Sequence, residues 1–330
     1  MSNEMRPRVC LIYGGRGHES EVSQRGKENI FPLIDREKYD PYPLFIDKSG
    51  RWLIEGNEVF PAKEGFFCPE TKEFYKADCA FPLLHGDFGE DGRVQGSLEC
   101  ADIPYVGCDS QAGAVCRDKS FVKTLAHSLG VPTLPHLLIL RGEGIQYALR
   151  LCEGKFDYPM FIKPSRLGSS VGASSARSKR ELVSSITRAF CLGERVIVEP
   201  CLDSKRELEC GYFSAKGKEL FTNPGEILLD GLYDYEKKYL SDTRLSVRAD
   251  LDGEYIEQIR EYSRRLVRAL SVRGLSRVDF FLSDGELYFN EINTMPGFTG
   301  ESLYLKMIET EGYSARDAIN MLIESALTPA

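Results

Sequence analysis

The sequence predicts an α/β (α+β) protein: an N-terminal α/β domain with a parallel sheet, followed by two α+β domains. Its 330 residues exceed one ordinary domain. Short apolar runs end in glycine and lead into helices, and near the C-terminus apolar residues alternate around an Asp-Gly turn. We expect domains over residues 1–109, 110–204 and 205–330, each around a separate core.

Composition limits the partners. The net charge of −8 argues against nucleic acid or an anionic membrane surface as the main partner. The ten cysteines include no CxxC pair, and the polar start MSNEMRPR lacks a secretory signal. We therefore expect reduced thiols in the cytoplasm. No apolar run approaches the roughly 20 residues that span a bilayer.

The first domain is predicted to begin with a buried strand over residues 8–13, which ends in Gly14-Gly15. A helix is expected from about Ser20 to Phe31. The glycine spacing misses the GxGxxG fingerprint, so it supports a dinucleotide site only weakly. Glu19 stands just ahead of the helix, where a carboxylate either caps the helix or binds an ammonium ion.

Further elements of the first domain surround an acidic, glycine-rich segment. We predict strands at 41–46 and 80–84, a hairpin over 51–61, and a helix at 93–100. Residues 85–92 (HGDFGEDG) follow a strand, at the sheet edge where open α/β sheets bind ligands. A flexible acidic loop is the alternative.

The central domain is predicted to start with one long helix, Ser110 to Leu129, that contains Lys119 as a binding or a solvated residue. Its other predicted elements are strands 136–140, 159–163 and 195–199 and helices 143–153 and 179–190. Gly and Ser residues at 165–172 form a loop whose backbone N–H groups suit phosphates, with Lys163 as a point charge. A plain hairpin loop is the alternative.

The last domain contains a predicted metal-binding hairpin over residues 277–293, with helices at 253–270 and 314–326. Glu291 and Asn293 share a strand face because side chains two apart point the same way. Asp279 joins them only if the connecting loop has an odd length, so we predict a three-residue loop, 284–286. Carboxylate and amide oxygens suit Mg²⁺. A solvated acidic face is the alternative.

Five motifs in this order resemble the D-alanine–D-alanine ligase family: GGRGHESEVS, HGDFGEDGRVQG, FIKPSRLGSSVG, YDYEKKY and RVDF with NEINTMPGFTGES. The resemblance covers residues 8 to about 310. It implies the ATP-grasp architecture, in which two α+β domains clamp ATP. It also implies ATP-dependent ligation of two D-alanine molecules to D-alanyl-D-alanine, through an acyl phosphate, for peptidoglycan precursors.

The resemblance also implies roles for individual residues. Glu19 and His85 would bind the first D-alanine, and Ser302 and Leu303 the second. The residues implied in ATP binding are Lys119, Lys163, Ser170, Val171, Gly172, Glu199, Leu202, Glu207, Lys238 and Asn290. The implied catalytic set is Glu19, Ser169, Tyr239, Arg277, Gly297 and Ser302. Asp279, Glu291 and Asn293 would hold two Mg²⁺ ions, for which Mn²⁺ substitutes.

Two loops, 165–172 and 232–240, would close over the reaction, and Tyr239 would bond Ser169 and Glu19 and favour an amine acceptor. The family further implies a homodimer. Three positions depart from its pattern: Cys201 replaces an aromatic residue, Leu305 a proline and Phe298 a methionine. A non-catalytic ATP-binding module and a nucleotide-dependent oxidoreductase remain as alternatives, although the second leaves the metal hairpin unexplained.

Overall fold

The structure, a computed structural model, describes residues 5–202, 204–228 and 244–328. Within them, three sheets with flanking helices confirm the predicted α/β class. The first sheet has the order β6-β5-β4-β3-β2-β1-β7, with β1 parallel to both β2 and β7. Its strands are β1 Arg8–Gly14, β2 Asp40–Ile46, β3 Trp52–Ile54, β4 Asn57–Ala62, β5 Gly65–Phe67, β6 Phe74–Lys76 and β7 Cys79–Pro82. Helices α1 (Ser20–Ile30) and α2 (Arg93–Cys100) follow strands of this sheet.

The second sheet is antiparallel, in the order β10-β9-β11-β8, and two helices pack on it. Its strands are β8 Leu137–Leu140, β9 Met160–Pro164, β10 Ser174–Ala176 and β11 Arg195–Pro200. Its core uses residues between Ile139 and Val198. The second sheet and its two helices therefore have a core of their own.

The third sheet has the order β15-β14-β12-β16-β17, with β13 beside β12. Its strands are β12 Arg206–Ala215, β13 Lys218–Phe221, β14 Gly225–Leu228, β15 Arg244–Ser246, β16 Leu275–Ser283 and β17 Glu286–Asn293. The remaining helices of the described residues are α3 Ser110–Arg117, α4 Lys119–Ser128, α5 Ile145–Lys155, α6 Lys179–Leu192, α7 Gly253–Ala269, α8 Leu303–Thr310 and α9 Ala315–Leu327. None of the helices in the described part of the chain is long and apolar enough to cross a membrane.

The first sheet has a buried cluster of its own, which includes Cys10, Ile12 and Leu44, and it shares a second cluster with the third sheet. One cluster of buried side chains joins Val9, Leu11 and Phe81 to Phe213 and Ile319. Helix α9 packs against both β7 and β12 and so closes this shared core. The two sheets are therefore held together by apolar burial, which is the main favourable contribution to folding.

The single helix predicted over 110–129 is wrong. It is broken at Asp118, whose backbone is extended at φ −92° and ψ 103°. The Asp118 carboxylate accepts a hydrogen bond from the backbone N–H of Ser120, which makes it the N-cap of α4. Asp109 caps α3 in the same way through the N–H of Ala112. Lys119 therefore stands at a helix start and not inside a helix.

The predicted three-residue hairpin loop is also wrong. Ser283 pairs with Glu286, so the loop is the two-residue turn Asp284-Gly285. The register changes instead inside the hairpin, because Phe280 pairs with Phe289 whereas Asp279 pairs with Glu291. Asn290 is the additional residue of this β-bulge. The predicted pairing of Asp279 with Glu291 is confirmed, and the bulge produces it.

Candidate active site

Glu19 lies at the start of α1 but does not cap it. Its side chain makes no capping hydrogen bond, and Ser169 Oγ donates a hydrogen bond to its Oε1. A Cβ added to Gly86 would lie 2.3 Å from Glu19 Oε2, so the carboxylate rests directly on that glycine. Helix capping alone is therefore the wrong account of Glu19. The carboxylate joins two predicted ligand loops.

The acidic segment 85–92 is buried and fixed. Glu90 accepts hydrogen bonds from the N–H of Gly86 at 2.8 Å and of Met295 at 3.2 Å. Burial raises the pKa of Glu90, which Arg117, 3.5 Å away, offsets only in part. His85 Nδ1 lies 3.0 Å from the carbonyl oxygen of Met295. A flexible acidic loop is therefore excluded, because backbone groups of Met295, just after the last strand of the third sheet, hold this segment in place.

Lys119 is buried and ion-paired. Its Nζ lies 2.8 Å from Glu291 Oε2 and donates to the carbonyl of Leu167 at 2.7 Å. Burial lowers its pKa although Glu291 acts in the opposite direction. The alternative of a solvated helix residue is wrong. The ammonium group links the phosphate-type loop of the second sheet to the metal hairpin of the third.

A buried cluster of three charges lies beside that pair. Glu199 Oε2 is 2.8 Å from Lys163 Nζ, and Glu199 Oε1 is 2.7 Å from Lys123 Nζ. Burial alone would raise the pKa of Glu199, but the two ammonium groups outweigh it and hold that pKa at about 2. Lys163 also donates to Asn290 Oδ1 at 3.1 Å. The bulged residue of the hairpin thus reaches the second sheet.

The hairpin carries its acidic residues on one side. Arg277 donates two hydrogen bonds of 2.7 Å to the Asp279 carboxylate and lies 3.2 Å from Glu209. Burial opposes the charge of Arg277, but these carboxylates raise its pKa. Asn293 Nδ2 donates to Asp279 Oδ2 at 2.9 Å. A merely solvated acidic face is therefore wrong, because this face is partly buried and fully paired.

The loop over 165–172 is anchored at its N-terminal end. Ser165 and Arg166 donate to the Asp118 carboxylate, and the N–H of Lys119 donates to the Ser165 carbonyl at 2.9 Å. Ser169 and Ser170 have positive φ values of 52° and 58°, an uncommon conformation outside glycine. The N–H of the half-buried Val171 donates to the Gly168 carbonyl at 3.0 Å, so these residues form a tight turn within the loop.

Ser302 packs against Gly297. A Cβ on Gly297 would lie 2.6 Å from Ser302 Oγ, so a larger residue there would displace the Ser302 side chain. Ser302 precedes α8, a helix absent from the sequence-based prediction, and its side chain makes no capping bond. The side chain of Leu303 is buried with Ile227 and Met307. Only the backbone N–H of Leu303, at the helix N-terminus, suits an anion.

The remaining predicted residues lie between the second and third sheets or outside the described residues. Cys201 and Leu202 are half-buried after β11, and Glu207 on β12 pairs with Lys205 at 2.8 Å. Lys238, Tyr239 and the predicted lid at 232–240 lie outside the described residues.

Sequence reasoning missed four charged residues of this site: Lys123, Arg117, Asp118 and Glu209. Lys123 is four residues after Lys119, which places both on one face of a helix. That spacing was the available signal for Lys123. Arg117, Asp118 and Glu209 acquire their roles only through partners distant in the chain.

Residues from all three sheets thus converge. Contacts of Glu19 with Ser169, Lys119 with Glu291, and Lys163 with Asn290 close a charged groove between the sheets. The fold and this groove define an ATP-grasp ligase, an enzyme that uses ATP to form a carbon–nitrogen bond.

Comparisons with known proteins specify the family. Residues 8–108 match the model of the D-ala D-ala ligase N-terminus, and residues 125–324 match that of the C-terminus. A D-alanine–D-alanine ligase of Solibacter usitatus is 42% identical, over 98% of this chain and 96% of that protein.

Two solved structures share the fold over almost the whole chain. D-alanyl-alanine synthetase A from Vibrio cholerae is 29% identical with a TM-score of 0.90, covering 98% of both chains. The VanG D-Ala:D-Ser ligase from Enterococcus faecalis is 32% identical with a TM-score of 0.88, covering 97% of this chain and 99% of its own. The chain belongs to the D-alanine–D-alanine ligase family, and its activity is the ATP-dependent formation of D-alanyl-D-alanine for peptidoglycan synthesis.

Proposed function

We propose that the chain performs this ligation through an acyl phosphate, with two Mg²⁺ ions held by Asp279, Glu291 and Asn293; Mn²⁺ would substitute for them. The main support for this metal site is that the bulge brings Asp279 and Glu291 opposite each other, with Arg277 and Lys119 as counter-ions. In this site the cationic groups of Arg277 and Lys119 already balance the negative charge of the two carboxylates. Bound Mg²⁺ would neutralise phosphate charge and orient the phosphoryl group.

The donor set fits Mg²⁺. Within the described residues, no three His, Cys, Asp or Glu side chains are grouped to hold a metal, so the set depends on the amide of Asn293. Asn293 donates to Asp279 through Nδ2, which leaves its Oδ1 as an acceptor for a cation. Oxygen donors with no thiolate or imidazole are typical of Mg²⁺ sites.

ATP would lie in the groove between the second and third sheets. Lys119 and Lys163 would exchange contacts with their carboxylate partners for contacts with phosphate oxygens, with Lys238 at the terminal phosphate. Asn290 would remain beside Lys163. Backbone N–H groups of Ser170, Val171 and Gly172 would cover the phosphates. Glu199 and Leu202 would contact adenine, with Cys201 providing no aromatic stacking, and Glu207 would accept from the ribose.

The first chemical step is phosphoryl transfer. A carboxylate oxygen of the first D-alanine attacks the terminal phosphorus of ATP, the bond from that phosphorus to the bridging oxygen breaks, and ADP leaves. Glu19 would hold the ammonium group of this D-alanine, near His85. The product is an acyl phosphate, which converts a carboxylate oxygen into part of a leaving group.

The second step forms the amide. The unprotonated amine of the second D-alanine attacks the acyl carbon, and the negative charge develops on its oxygen. Arg277 and the N–H of Gly297 would stabilise that oxyanion. Phosphate leaves with the original carboxylate oxygen, and the amine nitrogen loses a proton. Ser302 and the N–H of Leu303 would hold the second carboxylate, while loops 165–172 and 232–240, with Ser169 and Tyr239, exclude water.

An oxygen label tests this route. D-alanine labelled with ¹⁸O in its carboxylate should deliver one ¹⁸O atom to inorganic phosphate in each turnover, measured by mass spectrometry. Release of phosphate without label, or release that does not require D-alanine and Mg²⁺, contradicts the acyl phosphate. Arg277→Lys, which keeps the charge but loses the two-pronged geometry, should lower kcat by about 100-fold or more.

The acceptor is tested separately. The VanG structure belongs to a ligase whose acceptor is D-serine, so D-alanine, D-serine and D-lactate should be compared as second substrates. We expect D-alanine to give the highest kcat/KM, since Tyr239 favours an amine. Equal rates with D-lactate contradict that assignment.

We further propose domains at 1–109, 110–204 and 205–330, a homodimer, and a cytoplasmic location. The ten free cysteines support a reducing compartment. Small molecules are the proposed partners, with no nucleic acid and no membrane, which the net charge of −8 supports. Light scattering at several protein concentrations tests the dimer.

A further inference from the structure

A cavity of about 170 Å³ lies at the edge of the first sheet, where β1, β2 and β7 end. Its apolar lining includes Ile46, Leu84, Val94 and Trp52. The first three of these are at most 5% exposed. For comparison, an apolar cavity of about 150 Å³ in another protein holds benzene. The volume and lining therefore suit an apolar group about the size of a six-membered ring.

Two guanidinium groups and one carboxylate line this cavity, and the carboxylate, that of Asp87, is paired with Arg117 at 3.2 Å. Arg16 and Arg93 both line it, and their guanidinium groups pack over the ring of Phe88 at 4.6 and 4.4 Å. Arg93 is paired with Asp91 at 2.9 Å. Arg16 is exposed and makes no ion pair with any residue the structure describes. Its guanidinium group is therefore available to a ligand anion.

The loop that carries Phe88 is held in an uncommon conformation. Phe88 has a φ of +69°, which is disfavoured for a bulky residue and persists only when the surroundings hold it. Its N–H donates to Asp91 at 2.8 Å, the same carboxylate that pairs with Arg93. The two guanidinium groups and the ring are thus fixed relative to one another.

His85 is shared between this cavity and the proposed site of the first D-alanine. His85 lines the cavity, and its Nε2 is buried without a hydrogen-bond partner among the described residues. Buried polar atoms without partners are rare in folded proteins and call for a ligand or water. We propose that this cavity is a second ligand site, which takes a small monocarboxylate with a ring-sized apolar body, its carboxylate on Arg16.

The chain contains its own reporter for this site. Trp52 is the sole tryptophan of the sequence and lines the cavity, so intrinsic tryptophan fluorescence comes from this place alone. Benzoate is the probe, and benzamide is its uncharged counterpart of nearly the same shape. Titration of the full chain with benzoate should give a saturable fluorescence change. Benzamide should bind at least about tenfold more weakly if a cation recognises the carboxylate.

Variants and competition decide the outcome. Arg16→Gln should weaken benzoate binding at least about tenfold, whereas Arg25→Gln, which removes an exposed charge of the same domain, should leave it unchanged. If Arg16→Gln fails to fold, Arg93→Gln replaces it. Binding should persist with saturating D-alanine, since Glu19, the proposed partner of the D-alanine ammonium group, does not line the cavity. Because His85 is shared, D-alanine should weaken benzoate binding without abolishing it. A fluorescence change that does not saturate, that is equal in Arg16→Gln, or that D-alanine abolishes would overturn the proposal.

Discussion

Single residues of this site are defined by the charges buried beside them. Glu199 is 1% exposed, yet it is ionised because Lys123 and Lys163 lie within 2.8 Å of its two oxygens. Leaving one charge of such a cluster without its partner costs far more than the cluster contributes when intact. Substitutions that keep shape and remove charge are therefore the informative ones here.

Glu199→Gln should lower the free energy of unfolding by about 3–5 kcal/mol, because two buried ammonium groups lose their common counter-charge. Urea denaturation measures the change. Glu324→Gln is the matched control, since Glu324 pairs with Lys216 at 2.6 Å on the surface. That control should change stability by about 1 kcal/mol or less. A similar small change in Glu199→Gln contradicts the argument.

Acid should destabilise the protein in a defined range. Hydrogen bonds from Ser120, Ser165 and Arg166 outweigh burial and lower the pKa of Asp118 to about 2, and that of Glu199 is also about 2. Their ordinary values are 3.8 and 4.5, so the unfolded chain takes up protons first as pH falls. Stability should therefore decrease between about pH 4.5 and pH 2.

Urea denaturation from pH 2 to pH 6 measures that decrease. Asp118→Asn cannot titrate and should remove part of the slope, on the order of 2 kcal/mol over the range. An unchanged slope in this variant shows that the Asp118 carboxylate is not held in its ionised form by its neighbours.

At the scale of elements, the bulge in the β16–β17 hairpin sets the geometry. Asn290 and Glu291 are consecutive, yet both are half-buried between the buried residues Phe289 and Ile292. A regular strand would place them on opposite faces. The bulge instead allows Asn290 to reach Lys163 while Glu291 reaches Lys119.

Two changes of length in this hairpin should have opposite outcomes. Inserting one glycine between Asp284 and Gly285 lengthens an exposed turn, and kcat/KM should stay within about threefold of the parent. Deleting Asn290 removes the bulge and the acceptor for Lys163, and kcat/KM for ATP should fall by about 100-fold or more. Phosphate release dependent on D-alanine measures both. Comparable losses in the two variants would contradict the claim that the bulge, and not the length of the turn, sets the geometry of the site.

The break between α3 and α4 is the second element-scale feature. Asp109 and Asp118 both cap helices, and asparagine caps a helix about as well as aspartate. Asp118 in addition faces Arg195 at 3.0 Å and Arg166 at 2.8 Å. Asp118→Asn should therefore release the start of the 165–172 loop while keeping the helix.

Asp118→Asn should raise KM for ATP about tenfold with a smaller change in kcat, because Lys119 and the loop are placed together. Steady-state kinetics measures both constants. Asp109→Asn, which keeps its cap and has no second partner in this loop, should leave KM within about twofold. Equal KM values in the two variants contradict a positioning role for Asp118.

For the whole molecule, the second sheet has its own core, whereas one buried cluster extends across the first and third sheets. Polar contacts such as Lys163 with Asn290 connect the second sheet to the rest. A nucleotide bound between the sheets should therefore stabilise the assembly strongly. A non-hydrolysable ATP analogue at 100 times its Kd, with Mg²⁺, should add about 2.7 kcal/mol.

Thermal unfolding with and without EDTA measures this effect. EDTA should remove most of the stabilisation that the ATP analogue gives to the parent protein. In Asp279→Asn, the stabilisation by the analogue should be the same with and without Mg²⁺. Asp284→Asn, in the turn of the same hairpin, should behave like the parent. Full stabilisation in the presence of EDTA would show that the nucleotide binds without the proposed metals.

Much of the fold could be predicted because local patterns carry it. The strand that precedes Gly14-Gly15 and the helix at 93–100 follow from apolar runs, glycine and capping signals within a few residues. The break at Asp118 could not be predicted, since the apolar pattern continues through it. The Asp118 carboxylate instead accepts hydrogen bonds from Ser165 and Arg166 and pairs with Arg195, all of which lie 47 or more residues away in the sequence.

The sequence by itself determined which charged residues follow each strand and turn. These positions were enough to predict a phosphate-type loop and an acidic hairpin in the same chain. The tertiary structure decided which charge meets which. Lys163 reaches Asn290 across 127 positions and Ser169 reaches Glu19 across 150. The physical reason is that burial makes each charge require a partner, and only the packing of three sheets determines which partner lies within reach.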